Sequence, residues 1–293
     1  MGDQNIQDID ITNVDEERFQ FTKLEELGLR EDPFVDSTDD RFLYLGEENM
    51  PMYKASIQGV MRRRGLMLIV GEPGLGKTIL AKRLYTVLSN EPDIDVAYIP
   101  TARWETKFSA VQQISSSFST LAVPDKRSYD EQLEALKNAI QESYSKKRNV
   151  VLILDDAQEI RASGMTLLHE LYNFSVNEKT VQSILFGQIE TTEVLRRNKA
   201  VWSRVFQNLS MMRLSFKSTV SLVNYRVRVA NRLEPLVDNS AFLVLDEYAN
   251  GIPRIIVSTC SKAMDILLES GDKLITKDIM LRAIQSIGKE KLL

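Results

Sequence analysis

The stretch that decides the fold is Gly71-Glu72-Pro73-Gly74-Leu75-Gly76-Lys77-Thr78. An apolar run at 66–70 precedes it, and a helix-forming sequence that starts at Ile79 follows it. Strand, glycine-rich loop and helix, in this order, form the context in which a G-x-x-x-x-G-K-[ST] pattern binds phosphate. The glycines let successive backbone N–H groups point at the phosphates, and the helix N-terminus adds its positive end. The alternative is a glycine turn before a helix that binds nothing.

The loop assigns separate roles to two of its side chains. We expect Lys77 to reach the β- and γ-phosphates of ATP, and Thr78 to place its hydroxyl on Mg²⁺. The remaining contacts to the nucleotide are expected from the other residues of 71–79, which ends at Ile79. ATP and Mg²⁺ are therefore the predicted cofactors.

A second candidate motif is the run Asn149-Val150-Val151-Leu152-Ile153-Leu154, which Asp155 and Asp156 follow. An unbroken run of β-branched residues and leucine is typical of a central parallel strand that is buried on both faces. Ligands bind at the carboxyl ends of such strands. We therefore expect Asp155 to join the Mg²⁺ shell and Asp156 to orient the attacking water. Either carboxylate would serve as a helix N-cap instead if no metal binds here.

The sequence predicts two further strands, at 96–100 and 182–187, which makes four with 66–70 and 149–154. The strand at 182–187 ends at Gln188, so this polar group lies at the same edge of the predicted sheet as the two aspartates. Gln188 is expected either to sense the γ-phosphate or to cap a helix.

The composition excludes several classes of protein. A single cysteine, Cys260, rules out an intrachain disulfide, and a lone histidine, His169, removes most zinc sites and any Ser-His-Asp hydrolase site. No apolar run is long enough to span a bilayer, and the N-terminus lacks a secretory signal, so we expect a cytoplasmic location. At 293 residues, the chain has room for one large domain and one smaller domain.

The net charge of −4 conceals an uneven distribution. Residues 1–50 contain 15 acidic and 4 basic side chains, a net of −11, so the remaining residues carry +7. An acidic arm on a basic body is compatible with nucleic-acid binding or with a solvated arm. Nine basic and no acidic side chains occupy 196–232. This stretch is either a solvated face, a partner of the acidic arm, a surface for polyanions, or the source of an arginine for a neighbour's nucleotide.

The predicted organisation has four parts. They are an acidic flexible arm at 1–20, an N-terminal docking segment at 21–48 that we expect to lie against the nucleotide domain, an α/β nucleotide-binding domain at 49–214, and a helical lid at 215–293. Helices are predicted at 47–64, 108–121 and 129–145 in the second and third parts, and at 217–232, 240–250 (capped by Ser240), 253–270 and 276–287 in the lid.

Taken together, residues 27–287 resemble the AAA+ ATPases, and within them the group of the ExeA/GspA-type ATPases and the TnsC-type transposition regulators. The specific part of the resemblance is Gly28-Leu29-Arg30-Glu31-Asp32-Pro33-Phe34 followed by Arg41-Phe42-Leu43-Tyr44-Leu45, which is similar to the entry segment of the ExeA-type group. Phe186-Gly187-Gln188 matches the sensor-1 strand of the group, and Gly251-Ile252-Pro253-Arg254 matches the start of its sensor-2 helix. The implied fold is an AAA+ P-loop domain with a central parallel sheet, followed by a small all-helical lid domain.

The resemblance also implies residue roles. By it, Gln188 is sensor 1, Arg254 reaches the phosphates of its own subunit, and Arg204 is the arginine finger, with Arg196 and Arg197 as weaker candidates. A finger that acts on a neighbour places ATP between subunits, so ATP binding becomes an assembly signal and hydrolysis a disassembly signal. The implied assembly is a ring or a filament of identical chains.

One departure from the family concerns hydrolysis. The family usually has Asp-Glu where this chain has Asp155-Asp156. The shorter side chain loses about 1.5 Å of reach, and misplacing a water by about 1 Å costs on the order of a hundredfold in rate. We therefore expect a slow ATPase that acts as a switch, and an ATPase that binds ATP without turnover stays open.

The function that the resemblance implies is regulation of DNA transposition. In this interpretation the protein oligomerises with ATP on target DNA and recruits a transposase, together with a target-selection protein. The DNA is double-stranded, and it is bound through its backbone without sequence specificity. The basic body and the lack of a membrane span, a peptidoglycan-binding part and a winged helix favour it. The alternative is an ExeA/GspA-type ATPase for secretion or envelope assembly, with protein partners and no DNA.

Spacing against the TnsC-like proteins nominates DNA-facing residues in two loops. The first set is Arg103 and Lys107, with Trp104 as a stacking contact, and the second is Lys126 and Arg127. For the charged residues the alternative is a solvated surface, and for Trp104 it is core packing.

Overall fold

Five parallel strands form the centre of the protein. The structure is a computed structural model that describes residues 22–174 and 179–290. The strands are β1 (Leu66–Val70), β2 (Ile94–Ile99), β3 (Asn149–Leu154), β4 (Val181–Gly187) and β5 (Val205–Ser210). Their order across the sheet is β2-β3-β4-β1-β5. β1, which leads into the glycine loop, therefore pairs with β4 on one side and with β5 on the other.

The two faces of the sheet are each covered by a separate hydrophobic core. Alternate residues of β1 point to opposite faces, so Leu66 and Leu68 join one core and Met67 and Ile69 join the other. All five residues of β1 are buried. This burial on both faces explains why the apolar runs of β1 and β3 carry no polar residue after their first positions.

Seven α-helices in the described residues of this unit surround the sheet. They are α1 (Gly46–Met61), α2 (Lys77–Ser89), α3 (Lys107–Ser117), α4 (Tyr129–Ser145), α5 (Ala162–Asn173), α6 (Thr191–Arg197) and α7 (Lys199–Trp202). α4 has the predicted bounds. The helix predicted at 108–121 ends at Ser117 instead, because Phe118 adopts an extended conformation and pairs with Ala97 of β2.

The fifth strand was not predicted from the sequence. β5 lies at the edge of the sheet, where its residues alternate between half-buried and exposed. Its sequence, Val-Phe-Gln-Asn-Leu-Ser, contains polar residues in the middle and an exposed Phe206, so it lacks the apolar pattern of the central strands. An edge strand with one open side needs less hydrophobic burial than a central one.

The chain divides into two compact units. One is Thr38–Arg213, and the other combines the residues before Thr38 with those after Arg213. The second unit contains four longer helices: α8 (Phe216–Val229), α9 (Asn239–Ala249), α10 (Pro253–Ser270) and α11 (Lys277–Glu290). Among the described residues no helix has both the length and the apolar character of a membrane span.

The N-terminal segment belongs to the helical unit. Arg226 is 5% exposed and donates from Nε and Nη2 to the carbonyl oxygens of Pro33 and Val35, at 2.6 and 2.7 Å. Arg232 donates to the carbonyl of Leu27 at 2.6 Å. Residues 22–37 thus belong to the helical unit, whereas we had expected the docking segment at 21–48 to lie against the nucleotide domain. The acidic arm predicted at 1–20 lies outside the described residues.

These contacts also change the interpretation of the basic stretch at 196–232. The guanidinium groups of Arg226 and Arg232 donate hydrogen bonds to backbone carbonyls of the same unit, which are neutral acceptors. These hydrogen bonds attach the N-terminal segment, from Leu27 to Val35, to the helical unit.

One predicted helix cap is wrong. Asp238 caps α9, because its carboxylate accepts hydrogen bonds from the backbone N–H and the hydroxyl of Ser240. Asp238 has the extended backbone and the acceptor side chain that an N-cap needs. Ser240 is therefore the second residue of the helix. Thr276 directly precedes α11, and its hydroxyl accepts from the N–H of Ile279 at 3.4 Å.

A matched pair of glycine substitutions tests how the helical unit is closed. Gly251 has a φ of +69°, and a Cβ built on it meets the carbonyl oxygen of Leu214 at 2.1 Å. Gly271 has a similar φ of +73°, with no atom within 4 Å of a built Cβ. We expect Gly271→Ala to cost about 1 kcal/mol through backbone strain alone, and Gly251→Ala to cost at least about 3 kcal/mol because a backbone atom must move as well. Urea unfolding followed by circular dichroism measures both, and equal losses would contradict the close approach.

Candidate nucleotide site

Hydrogen bonds bring the carboxyl ends of four strands together. The N–H of Gly71 donates to the carbonyl of Gly187 at 3.3 Å, which ties the glycine loop to the end of β4. Asp155, after β3, donates its N–H to the carbonyl of Ile99, the last residue of β2, at 2.9 Å. The segments that follow these four strands in the sequence therefore all start at the same edge of the sheet.

The glycine loop turns directly into α2. Gly76 has a φ of +99° and is the N-cap of this helix, a conformation that a side chain would strain. Leu75, 3% exposed, anchors the loop in the core. The ammonium group of Lys77 donates to the carbonyls of Gly71 and Glu72 at 2.8 and 2.9 Å. Lys77 is thereby held against the glycine loop.

Asp155 is buried at the bottom of the site. Only 2% of this residue is exposed, and burial raises the pKa of its carboxyl group, while a hydrogen bond from the Thr78 side chain lowers it. The backbone N–H of Asp156 donates to Oδ1 at 3.0 Å, and the Tyr98 hydroxyl donates to Oδ2 at 3.4 Å. Thr78 and Asp155, the two residues predicted to hold Mg²⁺, are thus in contact.

Asp156 adopts an unusual backbone conformation. Its φ of +48° and ψ of +44° place it in the left-handed region, which aspartate and asparagine tolerate better than other residues with side chains. A glutamate at this position would be more strained. The backbone therefore gives a local reason for the shorter acid at this position.

The side chain of Gln158 links the ends of β3 and β4. Its Nε2 donates to Oδ1 of Asp156 at 2.9 Å, and its Oε1 accepts from the backbone N–H of Gln188 at 3.2 Å. Gln188 itself is exposed. The two residues predicted to act on the attacking water and the γ-phosphate are therefore held in register by a third residue between them.

An ion pair connects the start of the glycine loop to Arg213. Arg213 donates from Nε and Nη2 to the two carboxylate oxygens of Glu72, at 3.0 and 2.5 Å. These hydrogen bonds lower the pKa of Glu72. Because Glu72 is the second residue of the glycine loop, the pair connects the loop to the segment that follows β5. Both side chains are more than one third exposed, so the pair positions the loop more than it stabilises the fold.

Two of the predicted catalytic arginines lie elsewhere. Arg204 directly precedes β5, at the amino edge of the sheet, and its Nη2 donates to Oδ1 of Asn173 at 2.5 Å. Arg254 is exposed, near the start of α10, in the helical unit. The weaker candidate Arg196 pairs with Glu193 at 2.9 Å, and its guanidinium lies 5.1 Å from the ring of Trp202.

The chain is similar to known proteins in both sequence and fold. Residues 60–195 match the family model described as AAA domain. This match runs from the end of α1 through β1–β4 to α6. General secretion pathway protein A of Aeromonas hydrophila is 28% identical over 270 residues, which cover 89% of this chain and 48% of that protein. The chain thus spans about half the length of this curated relative.

Two solved structures have the same fold as this chain. The Aeropyrum pernix ORC2 protein, in its ADPNP and ADP complexes, has a TM-score of 0.63 at 15% identity and is matched over 87% of this chain and 70% of its own. The Aeropyrum pernix ORC1 protein in complex with DNA has a TM-score of 0.62 at 17% identity, over 87% and 68%. The predicted fold, an AAA+ P-loop domain with a parallel sheet and a following set of helices, is confirmed.

The AAA domain is that of an ATPase, and its site fits ATP and Mg²⁺. No group of three or more His, Cys, Asp or Glu side chains that could hold a metal occurs in the described part of the chain. Mg²⁺ in nucleotide sites needs no such cage, because it is bound by one or two protein oxygens together with substrate phosphates and water. The contact between Thr78 and Asp155 supplies this kind of donor pair. Bound Mg²⁺ neutralises charge on the phosphates during transfer.

The residues nominated for DNA differ in how available they are. Arg103, Lys126 and Arg127 are exposed, whereas Lys107 lies 3.7 Å from Glu170 and over the ring of Tyr129. The stacking role of Trp104 does not fit the structure of the AAA domain, in which this residue is 3% exposed. Its indole N–H donates to Gln113, and its ring packs on Gly164, as a large apolar side chain does in a core.

The sequence did not reveal three residues of the site. Tyr98 carries the only polar side chain of the predicted strand at 96–100, which is a weak signal. Its contact with Asp155 raises the pKa of the phenol beyond the effect of burial. Gln158 follows Asp155 by three residues, a spacing that suggests a shared turn. Arg213 follows β5, and because that strand was not predicted, nothing placed Arg213 at this edge.

Removing the Gln158 bridge tests whether it positions Asp156. We expect Gln158→Ala to lower kcat for ATP hydrolysis about 10- to 100-fold, because the carboxylate of Asp156 loses its fixed position. ATP affinity stays unchanged, since the contacts of the glycine loop remain. Steady-state hydrolysis and nucleotide titration measure the two quantities separately. Glu159→Ala, which truncates the exposed side chain next to Gln158, is the control. A Gln158→Ala protein with the parental kcat would rule out the positioning role.

Proposed function

We propose that this protein is an ATP-dependent regulator of DNA transposition that assembles on DNA and is disassembled by slow ATP hydrolysis. In this role Lys77 binds the phosphates, Thr78 and Asp155 hold Mg²⁺, Asp156 orients the attacking water and Gln188 senses the γ-phosphate. Arg254 is assigned to the phosphates of its own subunit, as the family resemblance implies. A cytoplasmic location supplies the ATP.

The observation that carries the assembly step is the position of Arg204. Arg204 lies at the amino edge of the sheet and the glycine loop lies at the carboxyl edge, with the five residues of β1 between them. At about 3.3 Å per residue, this separation is about 16 Å. Arg204 is therefore out of reach of the ATP in its own glycine loop, and it serves as a finger only on the ATP of a neighbouring chain. Assembly through such contacts gives a ring or a filament.

The proposed rate of hydrolysis follows from Asp156. Its short side chain suits the left-handed backbone, but it extends less far toward the attacking water than a glutamate would. Slow turnover gives the assembled state time to find its partners, which suits a timing switch rather than a motor. The partners we propose are a transposase and a target-selection protein.

Two observations support DNA as the surface on which the protein assembles. The residues after position 50 carry a net charge of +7, and the same fold occurs in an ORC1 protein in complex with DNA. The exposed residues Arg103, Lys126 and Arg127, with the partly engaged Lys107, remain the predicted contacts. Such residues contact the phosphates of DNA, so the affinity for DNA falls strongly as the salt concentration rises.

The second candidate function is that of a secretion or envelope-assembly ATPase. The 28% identity to general secretion pathway protein A favours it, because the match covers 89% of this chain. In that case the ATP-dependent assembly would bind protein partners, and DNA would have no effect on it.

The role of Asp156 is tested by Asp156→Asn, which keeps the size and the tolerance of a left-handed backbone but removes the charge. We expect kcat for ATP hydrolysis to fall by a factor of about 100 or more, as the loss of a general base does, while ATP binding and assembly persist. Hydrolysis that continues at the parental rate would exclude Asp156 as the residue that orients the water.

The proposed function is tested by imaging the protein by negative stain with duplex DNA and a non-hydrolysable ATP analogue, with ADP in parallel. We expect rings or filaments only when both the analogue and DNA are present. Lys77→Ala serves as the control that lacks nucleotide binding, and it stays dispersed. Assemblies that need ATP but ignore DNA would instead favour the secretion ATPase, and no assembly with either ligand would contradict both functions.

A further inference from the structure

Basic residues precede four neighbouring strands at the amino edge of the sheet. The strands β3, β4, β1 and β5 are adjacent in this order and run in parallel, so their first residues lie side by side. The basic residues just before them are Lys146, Lys147 and Arg148 for β3, Lys179 for β4, Arg62, Arg63 and Arg64 for β1, and Arg204 for β5. We call these eight residues the amino-edge row. The row is opposite the ATP site, which lies at the carboxyl edge of the same strands.

Direct contacts hold the members of the row together. Arg63 reaches from β1 to the start of β3, where its Nη2 donates to the carbonyls of Lys147 and Arg148 at 3.2 and 2.8 Å. Its guanidinium lies 4.9 Å from the centre of the Tyr144 ring. Lys179 lies across the residue before β1 and donates to the carbonyl of Arg64. The row is therefore part of the folded sheet edge and is not a set of unrelated surface side chains.

Within the described residues, carboxylates pair with the row at one end only. Arg148 pairs with the buried Asp95 at 2.5 Å, and Lys146 pairs with the exposed Glu142 at 2.7 Å. Around Arg64, Lys179 and Arg204 the structure gives no ion pair within the ranges 22–174 and 179–290. Burial lowers the pKa of Lys179, and the charges of Arg204 and Arg64 lower it further. Three cations that repel one another gain free energy when an anion binds between them.

The size of the row decides which anion fits. Neighbouring strands are about 4.8 Å apart, so the starts of four strands span about 14 Å. Each strand of a DNA duplex carries one charge per about 3.4 Å of helix axis, so a row of this length faces about four phosphates. The edge strand β2 follows Glu91 and Asp93, where the row ends. A linear polyanion matches this arrangement better than a single small anion does.

We propose that the amino-edge row binds the sugar–phosphate backbone of duplex DNA. The inference rests on the proposed DNA-dependent function, and it adds a contact surface that is separate from the loops of Arg103 and Lys126. Arg204 at the end of the row would then lie next to both the DNA and the neighbouring chain's ATP. Binding along the row involves no base edges, so it is independent of sequence.

The test measures DNA affinity by fluorescence anisotropy with a short labelled duplex, in the ATP analogue, between about 50 and 200 mM salt. The row variant is the double substitution Arg64→Gln with Lys147→Gln, which removes two cations that have no ion pair within the described ranges, and a second variant, Lys179→Gln, removes the central charge. Both leave Arg204 unchanged, since assembly is proposed to need it. The control, Lys273→Gln with Lys277→Gln, removes the same charge from exposed positions of the helical unit. Thermal unfolding verifies that each variant is folded.

We expect the double row variant to lower the slope of log K against log salt by about 2, and to bind DNA about 50-fold more weakly near 0.1 M salt. Lys179→Gln lowers the slope by about 1, and the control keeps the parental slope. Row variants that bind like the parent, while the parent binds DNA, would overturn this inference and leave the proposed function standing. An equal loss in the control would also overturn it, because the effect would then come from net charge. A parent that does not bind DNA would remove the proposed function, and this inference with it.

Discussion

The carboxylate of Asp155 is almost completely buried, and a buried charge is unfavourable unless polar groups surround it. The hydroxyls of Thr78 and Tyr98 and the N–H of Asp156 meet this requirement, and each comes from a different part of the chain. The parallel sheet makes this arrangement possible, because the carboxyl ends of its strands all lie at one edge. Burial keeps the pKa of the carboxyl group above its ordinary value, because the charged form is poorly solvated there. A bound cation would therefore stabilise the charged form. The folding of the sheet and the affinity for Mg²⁺ thus depend on the same carboxylate.

The central part of this fold could be predicted because burial on both faces leaves a clear record in the sequence. The run at 149–154 contains no charged residue, and the glycine loop has a spacing that few other structures require. β5 escaped prediction for the opposite reason, since an edge strand is half solvated and its residues can be polar. The position of residues 22–37 depends on two arginines more than 190 positions away, and no local pattern contains such contacts. Gln158 is similar, because its role appears only when two strand ends are seen side by side.

The two edges of the sheet carry opposite chemistry for the same class of ligand. At the carboxyl edge, backbone N–H groups and one lysine form a small concave site for phosphates, next to two carboxylates that need a cation. At the amino edge, side-chain cations stand along a line with few acidic partners among the described residues. The first arrangement selects a compact polyphosphate with its metal, and the second favours an extended polyanion. Since β1 begins at one edge and ends at the other, a shift of this strand would affect both.

The link between Gln158 and Gln188 runs through the main chain of residue 188 and not through its side chain. Any amino acid except proline supplies that N–H, so the link survives exchange of the side chain at position 188. Position 158 has no such freedom, because an amide that both donates and accepts is needed there. The side chain of Gln188 is therefore left available for the nucleotide, because the link does not use it. Positioning of the site and contact with the ligand are thus assigned to different atoms of the same residue.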